Sequence, residues 1–464
     1  MVRLFNVFIP ARILALLAIE ATIMGLCYIA SAFVAEWLFP KAPLARIFLF
    51  NENGFYRIGL SVAVILLVLY FNDLYDDTRL RSSVELAQHV LVALGISFLT
   101  QAFLAYLSGG LIVPRYTMLT GSLLILIVFP LWRIGFSLYV TKGIHPQSVA
   151  FAGTSATLQE IAERVAAHPD LGMRIVGYYD DGAGGENPLP GIPRVGGLQD
   201  VSRCVELKAG RLVVGLSERR ERLPTAELLQ LRFSGIRIEH AADTYEAVYG
   251  RMSTREFHAS QFIFMELTPL ALLAQSIYCT LLALVGLIIL SPIMALVAIA
   301  IKLTSKGPAM YSQERVGLNG RLFRIYKFRS MYRDAEQRTG AVWATKNDPR
   351  ITPLGRFLRK LRLDELPQLI NVLKGDMAIA GPRPERPQFI EQLSRELPYF
   401  AQRHRVKPGI TGWAQINYKY GDTIEDSRIK LEYDFYYIKH MSPTLDAYIF
   451  FHTVKTMLLS RGAQ

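Results

Sequence analysis

Two adjacent carboxylates, Asp364 and Glu365, stand in the stretch R-I-T-P-L-G-R-F-L-R-K-L-R-L-D-E-L-P-Q, which begins at Arg350. Arg356, Arg359, Lys360 and Arg362 crowd in front of them, and Pro367 predicts the first turn of a helix running to about Leu373. A helix N-terminus and nearby guanidinium groups both favour the ionised form of a carboxylate, so Asp364 is expected to be anionic at neutral pH. An anionic aspartate can attack a phosphoryl group, and a neighbouring glutamate can hold the Mg2+ that offsets phosphate charge. Taken alone, D-E-L-P is better read as an N-cap with a first-turn proline. Its surroundings reverse that preference.

Further cations lie on either side. In L-F-R-I-Y-K-F-R-S-M, residues 322–331, strand-like composition puts Lys327 and Arg329 on one face, able to clasp a diphosphate or simply to meet solvent. In Gly381-Pro382-Arg383-Pro384, prolines on both sides restrict the backbone and fix where one guanidinium points, which suits bidentate phosphate recognition. Pro408-Gly409-Ile410-Thr411-Gly412-Trp413 reads as a rigid loop with an exposed-type aromatic, or as plain loop architecture. Of the chain's net charge of +12, much falls in residues 302–376, where 16 Lys or Arg face 7 Asp or Glu. That balance suits nucleic acid, anionic lipid or a polyphosphate, and charge alone does not choose.

The elements that must carry these residues begin in a membrane. Of 464 residues 51% are hydrophobic, high for a soluble protein, and apolar stretches at 13–35, 58–71, 90–107 and 118–140 predict four spans. The first lacks a signal-peptide cleavage pattern and is expected to remain as an anchor. Glu20 and Arg133 fall in or near the spans and are expected to snorkel or to pair between helices. Strand signals at 148–153, 173–179, 211–216 and 236–239, with a helix at 158–167, alternate as in a parallel sheet of Rossmann-like order. Its first turn, F-A-G-T-S-A-T, has one glycine where a dinucleotide fingerprint wants three, so a structural or regulatory role is favoured over nucleotide binding. Cys27, Cys204 and Cys279 are too far apart in sequence to suggest a disulfide framework or a zinc site. A second apolar block, residues 271–301, is interrupted by Ser291-Pro292 and would be about 46 Å long if straight. It is either a kinked span or a segment that dips into the bilayer and returns.

Six motifs follow one another in order: Ser291-Pro292 in an apolar hairpin, Q-E-R-V-G from Gln313, K-F-R-S-M from Lys327, D-E-L-P-Q, G-P-R-P and P-G-I-T-G-W-A-Q. In these the chain resembles the bacterial sugar transferases, the monotopic phosphoglycosyl transferases, from about Leu267 to the C-terminus. The spans and sheet domain ahead resemble the long form of that family, as in initiators of exopolysaccharide and O-antigen synthesis. The implied fold is a four-helix transmembrane bundle (residues 1–145), a Rossmann-like α/β domain (146–250) and a mostly α-helical monotopic catalytic domain (251–464) with a re-entrant helix at 268–303 hinged at Ser291-Pro292.

The resemblance further implies that Asp364 attacks the β-phosphate of a UDP-sugar, releases UMP and passes the sugar phosphate to undecaprenyl phosphate. Asp364 and Glu365 would bind Mg2+, Lys327, Arg359 and Arg383 would surround the phosphates, and Pro382 and Pro384 would shape the uridine side. Arg329 is counted with the substrate-binding cations. The implied location is the bacterial inner membrane, with both later domains on its cytosolic face. The implied partners are donor and acceptor and no nucleic acid, with a homodimer as the favoured assembly. One departure is Lys439-His440-Met441-Ser442, where the resemblance leads one to expect a tryptophan before the serine. A membrane scaffold or sensor and a small transporter are the competing classes. The scaffold predicts that Asp364→Asn is harmless, and the transporter wants polar residues converging at mid-membrane, where only Glu20 is offered. The final helix, about residues 445–459, is expected either to lie at the interface or to pack under the catalytic core.

Overall fold

The computed structural model describes the chain except residues 1, 5–6, 10, 76–82, 108, 144–145, 183–187, 217–222, 256–268, 333–347, 419–420, 422 and 459–464. Four helices, α1 (Ala11–Leu38), α2 (Gly54–Phe71), α3 (Ser83–Leu107) and α4 (Arg115–Gly143), form the N-terminal bundle. Each is long and apolar enough to cross a membrane, as is a fifth helix, Pro269–Thr304. Close approach of α1 and α4 requires Gly121, where a Cβ would collide with the Tyr28 ring. Glu20 and Arg133 pair between these two helices at 3.3 Å, both buried, and the Tyr75 hydroxyl donates to the other Glu20 oxygen at 2.6 Å. The pairing alternative is therefore the correct one. A buried ion pair needs such extra partners because its desolvation cost is large.

Five parallel strands follow in the spatial order Arg194–Gly196, Met173–Tyr179, Gln147–Ala152, Arg211–Val214, Arg237–His240. Counted along the chain this is 3-2-1-4-5, the doubly wound order expected from the βαβ alternation. Alternate residues of the central strand enter cores on opposite faces, Ala150 and Ala152 on one and Val149 and Phe151 on the other. Gly153, at φ +99°, ends that strand where a Cβ would meet the Gly215 carbonyl oxygen. That packing explains the lone glycine of the first turn without a nucleotide.

The remaining chain is mostly helical around two small sheets. Strands Met310–Val316 and Leu322–Phe328 pair antiparallel, and Ala378–Ala380 lies parallel to Gly409–Thr411. Helix Pro269–Thr304 runs without interruption, so Pro292 sits inside it, with the Ser291 hydroxyl donating to the Ile288 carbonyl at 2.9 Å. Its N-terminal half packs against the DELP helix Gln368–Leu373 and the strand Ala378–Ala380, through Cys279, Ala283, Val372 and Ala378. Its C-terminal half packs against Phe328 and Leu358 through Val297 and Ile301. The other side, including Ile288, Ile289, Leu296 and Leu303, is exposed. The three cysteines are free and buried.

Helix Pro443–Leu458 does more than either alternative foresaw. Leu445 and Ile449 are buried in the core of the C-terminal region, while His452 hydrogen-bonds the Tyr70 hydroxyl (2.6 Å) and Lys455 pairs with Asp73 (2.7 Å) at the end of α2. The helix ties the C-terminal region to the bundle.

Candidate active site

Asp364 and Glu365 occupy a single tight turn, Leu363–Glu365, entered through Arg362 in the left-handed region at φ 51°. The following helix, Gln368–Leu373, has only six residues and takes Pro367 as its N-cap. Asp364 is thus not a cap, and the dipole available to it is smaller than expected, since that field fades within a turn. Both carboxylates are buried.

Glu365 is gripped from three sides. Lys327 Nζ donates to its Oε1 at 2.9 Å, Arg383 lies 3.6 Å from the same oxygen, and Arg362 is 3.4 Å from Oε2. Burial pushes the Glu365 carboxyl up, but Lys327, Arg383 and Arg362 together overcome it and hold the group well below the usual carboxylate range. Asp364 behaves oppositely. Burial first and the adjacent Glu365 charge second raise it, against Lys327, Arg359 and Arg383. The expectation that cations would dominate at Asp364 is corrected: its neighbour takes their charge. Asp364 has no hydrogen-bond or ion-pair partner among the described residues. It is the less satisfied, more basic carboxylate of the two.

The register of Lys327 against Glu365 is set by Asn371, fully buried on the DELP helix. Its side-chain amide donates to the Arg324 carbonyl (2.7 Å) and its oxygen accepts from the Tyr326 N–H (3.0 Å). A polar residue amid L-I-N-V-L was the signal for this role. Arg359 turns back from helix Pro353–Lys360 and donates to Ser330 Oγ at 2.9 Å, while Arg356 and Lys360 face outward. Arg350 grips Asp348 instead of the site.

Arg329 does not join Lys327. The strand ends at Phe328, so side-chain alternation no longer applies, and Arg329 donates to the carbonyls of Ser305 (2.9 Å) and Lys306 (3.0 Å) and to Ser305 Oγ (2.7 Å). The carbonyls beyond a helix C-terminus lack intrahelical donors, and a guanidinium satisfies them. Arg329 anchors the end of the long apolar helix and is not brought together with Lys327 and the carboxylate pair.

Backbone packing builds the G-P-R-P loop. A Cβ on Gly381 would stand 2.5 Å from the Lys407 carbonyl oxygen, on Gly409 2.2 Å from the Gly381 nitrogen, and on Gly412 2.2 Å from the Gly381 oxygen. Three glycines therefore let G-P-R-P lie directly on P-G-I-T-G-W. Pro384 and Arg383 line a small pocket with Lys327, Gln368, Arg315 and Ile410. Pro382 accepts the Gly409 N–H at its carbonyl (3.0 Å). Trp413 is buried, not exposed, and donates its indole N–H to the Gly250 carbonyl at 2.7 Å, joining the catalytic and sheet domains. The departing segment Lys439-His440 serves the same junction, both side chains meeting Glu246 at 2.6 and 3.1 Å.

A buried carboxylate, unpartnered among the described residues, beside a cation-clamped one and faced by lysine and arginine, is equipped for attack on a diphosphate. Residues 271–460 match the family described as bacterial sugar transferase, and residues 70–221 match the CoA-binding domain family. The chain is 32% identical to the UDP-glucose:undecaprenyl-phosphate glucose-1-phosphate transferase of Escherichia coli (strain K12), over 88% of this chain and 91% of that protein. It is 33% identical to the transferase of the same name from Klebsiella pneumoniae, over 72% of each. The UDP-N-acetylgalactosamine-undecaprenyl-phosphate N-acetylgalactosaminephosphotransferase of Aeromonas hydrophila is 44% identical over 51% of this chain, which covers 56% of that relative's length. Motifs, membrane helices, doubly wound sheet and near full-length similarity converge: the chain is an enzyme that belongs to the bacterial sugar transferase family, in its long form.

Proposed function

We propose that this chain transfers a sugar 1-phosphate from a UDP-sugar to undecaprenyl phosphate, releasing UMP and initiating exopolysaccharide or O-antigen assembly on the lipid carrier. The observation that carries this reading is Asp364, buried and unpartnered among the described residues, one position from a glutamate held by three cations. A carboxylate oxygen of Asp364 attacks the β-phosphorus of the donor. The bond from that phosphorus to the bridging oxygen breaks, UMP leaves with the electron pair, and the sugar phosphate stays on Asp364 as an acyl phosphate. A phosphate oxygen of undecaprenyl phosphate then attacks the same phosphorus, and the Asp364 carboxylate is the leaving group. Lys327, Arg359 and Arg383 compensate the charge of two anions brought together, and Pro382 and Pro384 shape the uridine side.

Asp364 and Glu365 would hold Mg2+, whose chemistry is to offset charge on the diphosphate. Two hard oxygen donors suit an ion that takes one or two carboxylates and completes its shell with phosphate and water.

Helix Pro269–Thr304 is read as re-entrant at Ser291-Pro292, with the catalytic and sheet domains on the cytosolic face. What supports this is that both of its halves seat on the same catalytic domain while its other side is apolar and exposed. A homodimer is the proposed assembly, checked by the mass of the detergent-solubilised particle. The test of the chemistry is UMP release from a panel of UDP-sugars with Mg2+ and undecaprenyl phosphate. Wild type is expected to release UMP from at least one donor. Asp364→Asn is expected to lose turnover by about four orders of magnitude or more while unfolding at an unchanged temperature. Silence from wild type, or a fully active Asp364→Asn, would refute the reading.

A further inference from the structure

Two successive carbonyls of the G-P-R-P loop are each held from behind by a guanidinium. Arg315 NH1 donates to the Pro384 carbonyl at 3.1 Å, and Arg403 NH2 donates to the Arg383 carbonyl at 3.0 Å. Each guanidinium has its own counterion. Arg315 lies 3.7 Å from Glu385, next in sequence to the loop. Arg403 lies 2.7 Å from Asp434, on helix Ile424–His440, and stacks over the Phe400 ring at 5.0 Å.

The two braces reach the loop from different elements. Arg315 comes from strand Met310–Val316, whose Val316 N–H also donates to the Glu385 carbonyl at 3.1 Å. Asp434 is on a separate helix, whose neighbours Phe435, Tyr436 and Tyr437 are buried in the catalytic core, so Arg403 ties the loop to the body of the domain. Asp434 and Arg403 are themselves buried, beyond the reach of a soluble substrate. The side chain of Arg383 points the other way, toward Glu365 and the pocket shared with Lys327. Nothing in R-H-R-V ahead of Pro408, or in L-E-Y-D-F-Y-Y, marks these residues as a pair.

We infer that Arg403 and Asp434 are positioning residues for donor binding: they fix the Arg383 backbone so that its guanidinium is set for the diphosphate of the nucleotide. The inference rests on the proposed function. A guanidinium donates in a planar fork, so one arm can serve a carbonyl while the group stays paired with its carboxylate. Lysine keeps the charge but not the fork, and asparagine in place of Asp434 keeps shape but not charge.

The test uses the full chain in nanodiscs with Mg2+, and UDP as a non-reacting probe of donor binding. Arg403→Lys, Asp434→Asn and Arg383→Ala are made singly, and each of the first two is combined with Arg383→Ala. Expected is a rise of about fivefold or more in the UDP dissociation constant for both brace variants, falling to less than about twofold in the Arg383→Ala background. Non-additivity of that kind separates positioning through Arg383 from general loosening, which would lower the unfolding temperature and add to Arg383→Ala. A smaller single effect, full additivity, or a loss confined to thermal stability overturns the inference. Changing two residues on two elements keeps the test decisive if one variant does not fold. Wild type that releases no UMP from any donor instead overturns the functional reading, and the role assigned to the brace falls with it.

Discussion

Side chains of one type do different work here according to what faces them. Lys327 and Arg329 are two apart in sequence, yet one enters the carboxylate cluster and the other closes a helix end. Arg329→Ala is therefore expected to cost about 1.5–3 kcal/mol of stability, the range for hydrogen bonds to a charged group, and to leave the donor KM of the folded enzyme unchanged. Thermal unfolding and UMP-release kinetics on one preparation check both halves. Asp434 offers a pH signature. Burial raises its carboxyl to about 6, with Arg403 opposing, Glu385 adding to the rise and Lys430 opposing more weakly. Its folded value lies above the ordinary 3.8, so the folded state takes up this proton more readily than the unfolded chain. As pH falls through about 6 this group adds to stability rather than subtracting from it, while Arg403 loses its counterion. The donor KM of wild type is expected to climb over that range without a matching fall in unfolding temperature. Asp434→Asn should show a high KM and no such climb.

At the level of elements, the candidate active site is an assembly of turns, held by backbone contact more than by side chains. Gly409 sits where a Cβ would collide with the Gly381 nitrogen, the Thr411 oxygen and the Ala380 carbon, all main-chain atoms that cannot swing aside. Gly409→Ala should destabilise the domain by about 1–3 kcal/mol, the cost of forcing an extra carbon into a packed site, and raise the donor KM by displacing Arg383. Wild-type unfolding and KM in that variant would discard this account. The G-P-R-P and P-G-I-T-G-W motifs were readable as rigid loops, but their mutual packing was not, because sequence carries no sign of which loop meets which. Trp413 was misjudged for the same reason: its burial and its bond to Gly250 depend on a domain more than 150 residues away in sequence.

Across the whole molecule the sheet domain is welded to the catalytic domain through Glu432. Fully buried, it accepts from Thr254, lies 3.2 Å from Arg251 and 2.5 Å from Arg428, and receives the Tyr245 hydroxyl at 3.1 Å. Removing one member of such a network leaves the others buried and unpaired, so Glu432→Ala should cost about 3–5 kcal/mol. Hydrogen exchange is expected to rise in helix Ala241–Tyr249 and helix Ile424–His440 together, and an increase confined to one of them would count against a shared interface. The bundle is joined in turn through Lys455 and Asp73, so membrane helices, sheet and catalytic core contact one another in a chain of polar anchors.

Composition and local pattern alone determined that this chain has membrane helices, a doubly wound sheet and a carboxylate pair among cations, because hydropathy, βαβ alternation and a short motif are properties of neighbouring residues. Which carboxylate keeps the cations, and which cations reach them, was decided only in three dimensions. Lys327, Arg362 and Arg383 arrive from a strand, a turn and a loop separated by up to 56 positions, and all three settle on Glu365. The force between charges falls off with distance in space, not along the chain, so Asp364 is left the more basic of the two carboxylates by a geometry that the order of residues does not contain.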